Sequence, residues 1–293
     1  MSIPAADGAA PEDFQKRGRP ARRRTIWLEG RSGRPGCRRG SDMVSAITIN
    51  LRNDSNTLQN FCFFQQPAGY SSAGRVYVSS LCGQPLLPYA TSGAVLSFMI
   101  TPQTYAGVQQ QIAPPQPGQP VGQAGAIRAI ELTPAQGPPT ANTTTMSVSP
   151  ALGLSAPMAT EDVPAGAFRI RTAVFNPTLV NYNAGVAMQT LAGGILLSNF
   201  VTAPPNVALD CTPSLKFYVQ IGSYAAGTVL DFASMMATAA LCDAAQGFTA
   251  FNVSYNLDGT WTVKNMVAGR LRNGRPGLIT KSEFVTSAAS LPR

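Results

Sequence analysis

The sequence predicts an all-β protein of the antiparallel β-sandwich class, jelly-roll or immunoglobulin-like. Short segments in which apolar and polar residues alternate recur along most of the chain. Gly, Pro, Ser and Asn separate these segments, as turns between sandwich strands require. Hydrophobic residues make up 44% of the chain and charged residues 12%, which favours a folded body with a buried core.

The first clear strand follows Met43, where Ile47, Ile49 and Leu51 alternate with polar residues. A period of two places the three apolar side chains on one face of a half-buried strand. Further strands are predicted around residues 61–64, 75–79, 94–100, 105–112, 168–174, 182–188 and 215–221.

Residues 251–263 predict a hairpin, because Asp258-Gly259 supplies a tight turn between two alternating segments. The one helix candidate is 231–241, where Ala and Met favour a helix. Residues 228–230 run into it as a strand would, so helix and strand both remain open for this segment.

Composition divides the chain into three regions. Residues 1–42 are rich in Arg, Gly and Pro and predict a disordered basic arm. Residues 43–266 predict the β-sandwich body, in which the Pro/Gly-rich stretch 113–125 is expected to be a crossover or long loop and is also a candidate domain boundary. Residues 267–293 are polar and basic and predict a flexible tail.

The formal charge of +8 is unevenly distributed. Residues 1–42 hold ten Lys and Arg against five Asp and Glu, whereas the rest of the chain holds twelve against nine. The body is therefore nearly neutral, and affinity for polyanions would reside in the termini.

Five scattered cysteines do not form a disulfide framework, and the N-terminus carries no secretory signal pattern. The longest apolar run, 94–100, is far shorter than the roughly 20 residues that a membrane-spanning helix needs. We therefore predict a cytoplasmic protein without a membrane partner, although secretion without a classical signal leaves no trace in a sequence.

The chain contains no histidine. This removes Ser-His-Asp and Cys-His nucleophile pairs and HExxH zinc sites. It also lacks the glycine-rich phosphate loops GxxxxGK[ST] and GxGxxG. We predict no catalytic residue, cofactor or metal site.

Paired carboxylates remain the one enzymatic alternative, because glycoside hydrolysis needs two of them. Their positions relative to one another do not follow from the sequence, and several lie in predicted turns or loops. The candidates are Asp54, Glu131, Glu161, Asp162, Asp210, Asp231, Asp243, Asp258 and Glu283.

The basic arm carries the strongest local motif, a Gly-Arg-Pro core flanked by basic residues. It resembles an AT-hook, whose arginines enter the minor groove of A·T-rich DNA, and also the packaging arm of small icosahedral virus coat proteins. GC-rich coding sequence produces the same composition, so the arm is equally explained as an upstream extension without function. Its candidate nucleic-acid-binding residues are Lys16, Arg17, Arg19, Arg22, Arg23 and Arg24.

Two further features have both a binding and a structural interpretation. Arg169 and Arg171 share one face of a predicted strand and either meet an anionic ligand or, as we favour, form a solvated outer face. Trp261 and the aromatic run 61–64 either form a ligand platform or, as we favour, belong to the core.

The segments FCFFQQPAGYSS, TYAGVQQQ, LKFYVQIGSYAAGTVLDF and NVSYNLDGTWTV resemble those of uncharacterised bacterial all-β proteins. The resemblance covers residues 43–266 and excludes the arm. It implies that the family-like region begins near Met43, and it carries no activity, site residue or partner.

These observations favour a non-enzymatic structural or interaction module that recognises a protein partner, or itself, through a neutral β surface. The first alternative is a nucleic-acid-binding or packaging protein that works through the basic arm. The second is a carboxylate-based glycosidase.

Overall fold

The computed structural model describes residues 46–101, 103–121, 125–189, 195–266 and 284–287. These residues belong to one compact unit that begins at Val44. The basic arm, and with it Lys16 and the five candidate arginines, lies outside the described residues.

The described residues form nineteen strands and three short helices. The strands are β1 (Ile47–Asn53), β2 (Gln59–Gln65), β3 (Gly69–Tyr70), β4 (Tyr77–Leu86), β5 (Leu96–Ile100), β6 (Thr104–Gln110), β7 (Ala126–Ile130), β8 (Thr143–Ser147), β9 (Gly153–Leu154), β10 (Phe168–Arg171), β11 (Tyr182–Gln189), β12 (Ile195–Thr202), β13 (Ala208–Thr212), β14 (Lys216–Ile221), β15 (Val229–Leu230), β16 (Ala240–Asp243), β17 (Ala250–Tyr255), β18 (Trp261–Met266) and β19 (Phe284–Ser287). The helices are α1 (Tyr89–Ser92), α2 (Phe232–Met236) and a 3₁₀ turn (Ala244–Gln246).

The strands assemble into three sheets. Sheet A has the order β19-β18-β17-β1-β5, and sheet B has the order β3-β13-β10-β8-β9. Sheet C has nine strands, in the order β16-β14-β2-β4-β12-β11-β6-β7, with β15 also paired to β4. The prediction of an all-β, sandwich-like fold is confirmed. Most neighbours are antiparallel, and the pairs β1–β17 and β8–β10 are parallel.

Two apolar layers hold the sheets together. Sheet A packs on one half of sheet C, where Ile49 and Phe251 meet Phe63 and Val219. Sheet B packs on the other half through a separate cluster that includes Ile170. Burial of such side chains is the dominant stabilising contribution to folding.

Sheets A and B cover opposite faces of sheet C. Within β4, Tyr77 stands opposite Phe200 and Val78 stands opposite Asn199, so each pair shares a face. Tyr77 lies on the face of sheet C that sheet A covers in another part of the sheet. Val78 lies on the opposite face, which sheet B covers. Short segments, among them α2, cover what each small sheet leaves open. Sheet C is therefore buried on both faces.

Burial on both faces explains the aromatic run in β2. Phe61 and Phe63 point into the layer under sheet A, whereas Cys62 and Phe64 point to the other face against α2. A strand buried on both sides needs a continuous apolar sequence rather than an alternating one. The core interpretation of these aromatics is confirmed, and that of Trp261 as well, since its indole N–H donates to the Thr238 carbonyl at 2.8 Å inside the fold.

The clearest strand predictions hold. In β1, Ile47, Ile49 and Leu51 are all buried. The hairpin of β17 and β18 forms as predicted, with Asp258 accepting hydrogen bonds from the Thr260 amide at 3.0 Å and hydroxyl at 2.7 Å. Gly259 adopts a φ of +81°, a conformation that favours glycine.

The structure decides three other segments. The described parts of 113–125, which are residues 113–121 and residue 125, lie between the antiparallel neighbours β6 and β7, so the long-loop alternative holds and the crossover was wrong. Residues 231–241 divide between α2 and the start of β16. Within the tail expected to be flexible, Phe284–Ser287 form a strand that extends sheet A beside β18; the other residues of 267–293 lie outside the described ranges.

Candidate functional site

The outward face of sheet A is polar and has a defined register. In each strand, residues that face the core alternate with residues that face outward. The outward residues of neighbouring strands lie side by side, because β1 pairs with both β17 and β5. One row crosses four strands and a second row crosses three. The two rows, Ser97-Asn50-Asn252-Lys264 and Arg52-Ser254-Thr262, are called the polar face below.

Side-chain hydrogen bonds fix the first row. Asn50 donates from Nδ2 to Oδ1 of Asn252 at 3.0 Å. Ser97 donates from its hydroxyl to Oδ1 of Asn50 at 2.8 Å. These bonds join three strands on the surface of the sheet, so the amides are oriented before any ligand arrives.

Arg52 anchors the second row. Its guanidinium donates from Nε and Nη2 to Oδ2 of Asp54 at 3.0 and 2.8 Å, and it lies 4.9 Å from the centre of the Tyr89 ring. The ion pair and the aromatic ring together hold the side chain in one orientation, while Nη1 takes no part in the ion pair.

A groove of about 260 Å³ opens above the polar face. Its floor is formed by side chains of β1, β17 and β18, and its wall by Tyr89 and Val95 from the segment between β4 and β5. We call it the polar groove. Two cations, Arg52 and Lys264, line it together with amides and hydroxyls, a combination suited to binding polar ligands.

Within the described ranges β5 pairs with β1 alone, and we call this side of sheet A the free edge. The amide of Thr48 donates to the Thr249 carbonyl at 2.9 Å, so the backbone N–H and C=O groups of Thr48 point to β17. The backbone groups of its neighbours Ile47 and Ile49 therefore point to β5. Their antiparallel partners are Ile100 and Phe98. The backbone N–H and C=O groups of successive residues in a strand point to opposite sides. Those of Phe98 and Ile100 point to β1, so those of Ser97 and Met99 point away from the sheet.

Three devices that protect natural sheet edges are absent from β5 itself. The five residues of β5 contain no charge, no proline and no bulge. Met99 is 48% exposed, and Val95 just before the strand is also exposed. By contrast, the edge strand β7 carries Arg128. Strands β3 and β9, at the edges of sheet B, have two residues each.

Arg169 does not form the solvated outer face that the sequence indicated. Its side chain is only 8% exposed and donates to Asp210 at 2.6 and 3.0 Å and to Asp162 at 2.6 Å. Arg171, two residues later, is exposed as expected. The favoured interpretation was therefore wrong for Arg169, because two carboxylates bring the compensating charge that a buried guanidinium requires.

The carboxylates of this cluster are a poor fit to a glycosidase. Such an enzyme needs one carboxylic acid with a raised pKa to protonate the leaving group. The hydrogen bond from Arg169 lowers the pKa of Asp162, which keeps that carboxylate ionised. Asp210 is held by the same guanidinium through two hydrogen bonds. The arrangement stabilises a buried arginine rather than a proton donor.

The four described cysteines are free thiols with raised pKa values. Burial raises the pKa of Cys62 to about 12, and it also raises those of Cys82, Cys211 and Cys242. A thiol reacts as a nucleophile or metal ligand in its thiolate form, so burial makes Cys62, Cys211 and Cys242 unreactive near neutral pH, whereas Cys82 is partly exposed.

Sequence reasoning assigned Asn50 and Arg52 to an outward face but did not identify the polar groove or the free edge. The groove requires the pairing of β1 with β17, whose residues are about two hundred positions away. The absence of charge in 96–100 is the one local signal for the edge. No helix within the described ranges is long and apolar enough to cross a membrane.

Comparison with curated proteins and with solved structures finds no match. The sequence profile of the RhiA family matches residues 45–266, which is nearly the whole described body and most of the chain. The match begins within two residues of Met43, where the sequence resemblance also begins. By this match the chain belongs to the RhiA family.

Proposed function

We propose that this protein is a non-enzymatic interaction module that associates with a second copy of itself through the free edge at β5. The observation that carries the proposal is the outward direction of the Ser97 and Met99 backbone groups on an uncharged edge strand. Unpaired backbone groups on such an edge form a template for another strand.

A second copy satisfies the geometry of this edge. Two β5 strands related by a twofold axis pair antiparallel with Phe98 opposite Phe98 and Ser97 opposite Met99 of the other copy. Each of the two Ser97–Met99 pairs then exchanges two backbone hydrogen bonds. The pairing joins two copies of sheet A into one continuous sheet, and the scarcity of charge along β5 leaves little repulsion to oppose it.

Substitutions at outward positions test the pairing. Ser97→Pro removes an amide that points away from β1, which an edge strand tolerates, and it also removes the side-chain hydrogen bond to Asn50. Met99→Lys places a charge on the edge, the device by which natural edges avoid pairing. Met158→Lys is the matched control, because Met158 is 58% exposed and lies next to sheet B, where it bridges to Thr143 of β8.

The measurement is the mass of the full-length protein by light scattering after size exclusion. We expect the parent protein and Met158→Lys to have twice the chain mass of 30.7 kDa, and Ser97→Pro and Met99→Lys to have the mass of one chain. A single-chain mass for the parent protein at every concentration, or an unchanged dimer in both edge variants, would contradict the proposal.

The nucleic-acid alternative rests on the arm, which lies outside the described residues. No contact of the described body favours it over pairing at β5.

A further inference from the structure

We propose that the polar groove binds a neutral monosaccharide, a single hexose ring that is recognised through its hydroxyl groups. The inference is independent of pairing at β5, because the groove opens on the face of sheet A and the free edge lies at its side. It depends on neutral side chains in the two rows of the polar face and on the wall that Tyr89 forms.

The size of the groove limits the ligand. Pockets for drug-sized ligands usually measure about 300–1,000 Å³, and this groove measures about 260 Å³. Its floor is the surface of a sheet, so a bound ligand lies over the side chains of three neighbouring strands. One six-membered ring with its substituents fits this space, whereas a longer chain would extend beyond the residues that line the groove.

Asn252 presents an amide edge in the first row of the floor. Its side chain is exposed, and Asn50 fixes the amide plane by donating to Oδ1 at 3.0 Å. An amide oxygen accepts two hydrogen bonds, so Oδ1 keeps one lone pair for a ligand. The Nδ2 group carries two hydrogens and donates to the sulfur of Met266 at 3.9 Å, a weak acceptor. A donor beside an acceptor is complementary to two adjacent hydroxyl groups of a sugar.

The second row adds hydroxyl groups. Thr262 accepts from Nδ2 of Asn256 at 3.0 Å, which leaves its own O–H to donate. Ser254 stands beside Thr262 in the register and adds a second hydroxyl. Because Ser254 follows Asn252 by two residues on β17, the rows are about 7 Å apart. Hydroxyls at opposite ends of one hexose ring therefore reach both rows.

Tyr89 and Val95 give the groove an apolar wall. The Tyr89 ring is held on one side by the Arg52 guanidinium, 4.9 Å from its centre, and Arg52 is in turn held by Asp54. The C–H face of a sugar ring is apolar, so it packs against this wall while the hydroxyls face the floor. The wall and the floor thus act on different parts of the same ring.

A nucleobase is the other kind of ring that an asparagine amide recognises. The donors and acceptors that pair with one amide lie next to each other on a single edge of the base. Such an edge would bond to Asn252 and leave the hydroxyls of the second row without a partner. A hexose carries hydroxyls around the ring and satisfies both rows, so the floor favours the sugar.

The experiment is a titration of full-length, isotope-labelled protein with three neutral compounds, followed through the side-chain NH₂ signals of Asn50 and Asn252. Glucose is the probe, cyclohexanol is a ring of similar size with one hydroxyl group, and cytosine is a base with an amide-like edge. We expect glucose to shift both signals to saturation and to bind about fivefold more tightly than either other compound, the difference that one additional neutral hydrogen bond makes. Because glucose is uncharged, its affinity should be equal at low and high salt.

One substitution in each row separates binding from folding. Asn252→Ala removes the amide edge and Thr262→Val removes a hydroxyl, both at outward positions, while Asn256 keeps its bond to Thr260. We expect each variant to bind glucose about fivefold more weakly. Asn60→Ala, at an exposed asparagine on β2 of sheet C, is the matched control and leaves the affinity unchanged.

Three results would overturn the inference. They are unchanged Asn50 and Asn252 signals on addition of glucose, an affinity for cyclohexanol or cytosine equal to that for glucose, and an unaltered glucose affinity in either Asn252→Ala or Thr262→Val. A failure of β5 to pair would not affect it.

Discussion

Replacing Asp210 by Asn should destabilise the body strongly. The Arg169 side chain is 8% exposed, and Asp210, at 17%, accepts two of its hydrogen bonds, at 2.6 and 3.0 Å. Asp210→Asn keeps the shape of the side chain but leaves the guanidinium with Asp162 as its one anionic partner. Breaking a buried ion pair by removing one charge costs about 3–5 kcal/mol. Since Asp162 remains bound to Arg169, we expect the free energy of unfolding to fall by the lower end of this range, about 3 kcal/mol.

Asp162→Asn is the matched control for this prediction. The Asp162 side chain is 70% exposed, and its backbone carbonyl keeps a bond from Arg169 at 3.1 Å in the variant. An exposed partner contributes little to stability because water screens it. We therefore expect a distinctly smaller loss for Asp162→Asn than for Asp210→Asn.

Urea unfolding at neutral pH, followed by tryptophan fluorescence, gives the free energies for all three proteins. A loss for Asp210→Asn of less than about 1 kcal/mol, the usual limit for an exposed pair, would refute the buried ion pair as a stabilising element. Repeating the series at acid pH tests Asp162, whose folded pKa lies below the ordinary 3.8. Its contribution is present above pH 3.8 and is lost as pH falls through the lower folded value, so the difference between the parent protein and Asp162→Asn should disappear there.

Three further outcomes are expected. Gly83→Ala should lower stability by about 3 kcal/mol in thermal unfolding, because a Cβ there would lie 2.0 Å from the Tyr224 carbonyl oxygen. Gly74→Ala should be neutral in the same assay, because the nearest atom to its Cβ would be the Ser72 hydroxyl oxygen at 3.9 Å, an ordinary contact. A version beginning at Met43 has four thiols. A thiol reagent at about pH 8 should react with Cys82 first and with the three buried thiols only after unfolding. Rapid reaction of all four in the folded protein would contradict their burial. If the basic arm binds nucleic acid, the full-length protein should carry a raised 260/280 nm absorbance ratio that salt removes and that the version beginning at Met43 lacks; equal ratios in both would rule out the arm.

Local patterns were sufficient for β1 and for the tight hairpin. The alternation around Ile49 predicted β1 and its buried face, and Asp258-Gly259 predicted the turn between β17 and β18. Both depend on residues close together in the sequence, where period and turn chemistry act directly. The continuous aromatic run in β2 indicated a strand but not that sheet C is covered on both faces.

The features that depend on distant pairing could not be predicted. Asn50 meets Asn252 because β1 and β17 pair in parallel, and no local pattern encodes that partnership. Arg169 was misassigned for a similar reason, since its partner Asp210 comes from another strand, β13. Alternation gives the face on which a side chain lies, but the sequence does not tell which elements cover that face.

Amide hydrogen exchange at β5 tests self-association through this edge most directly. Phe98 and Ile100 point to β1, so their amides should be protected at every protein concentration. The amides of Ser97 and Met99 point outward and should exchange quickly in dilute protein but become protected as concentration rises and the edges pair. Fast exchange of Ser97 and Met99 at concentrations where the protein is dimeric would contradict pairing through β5.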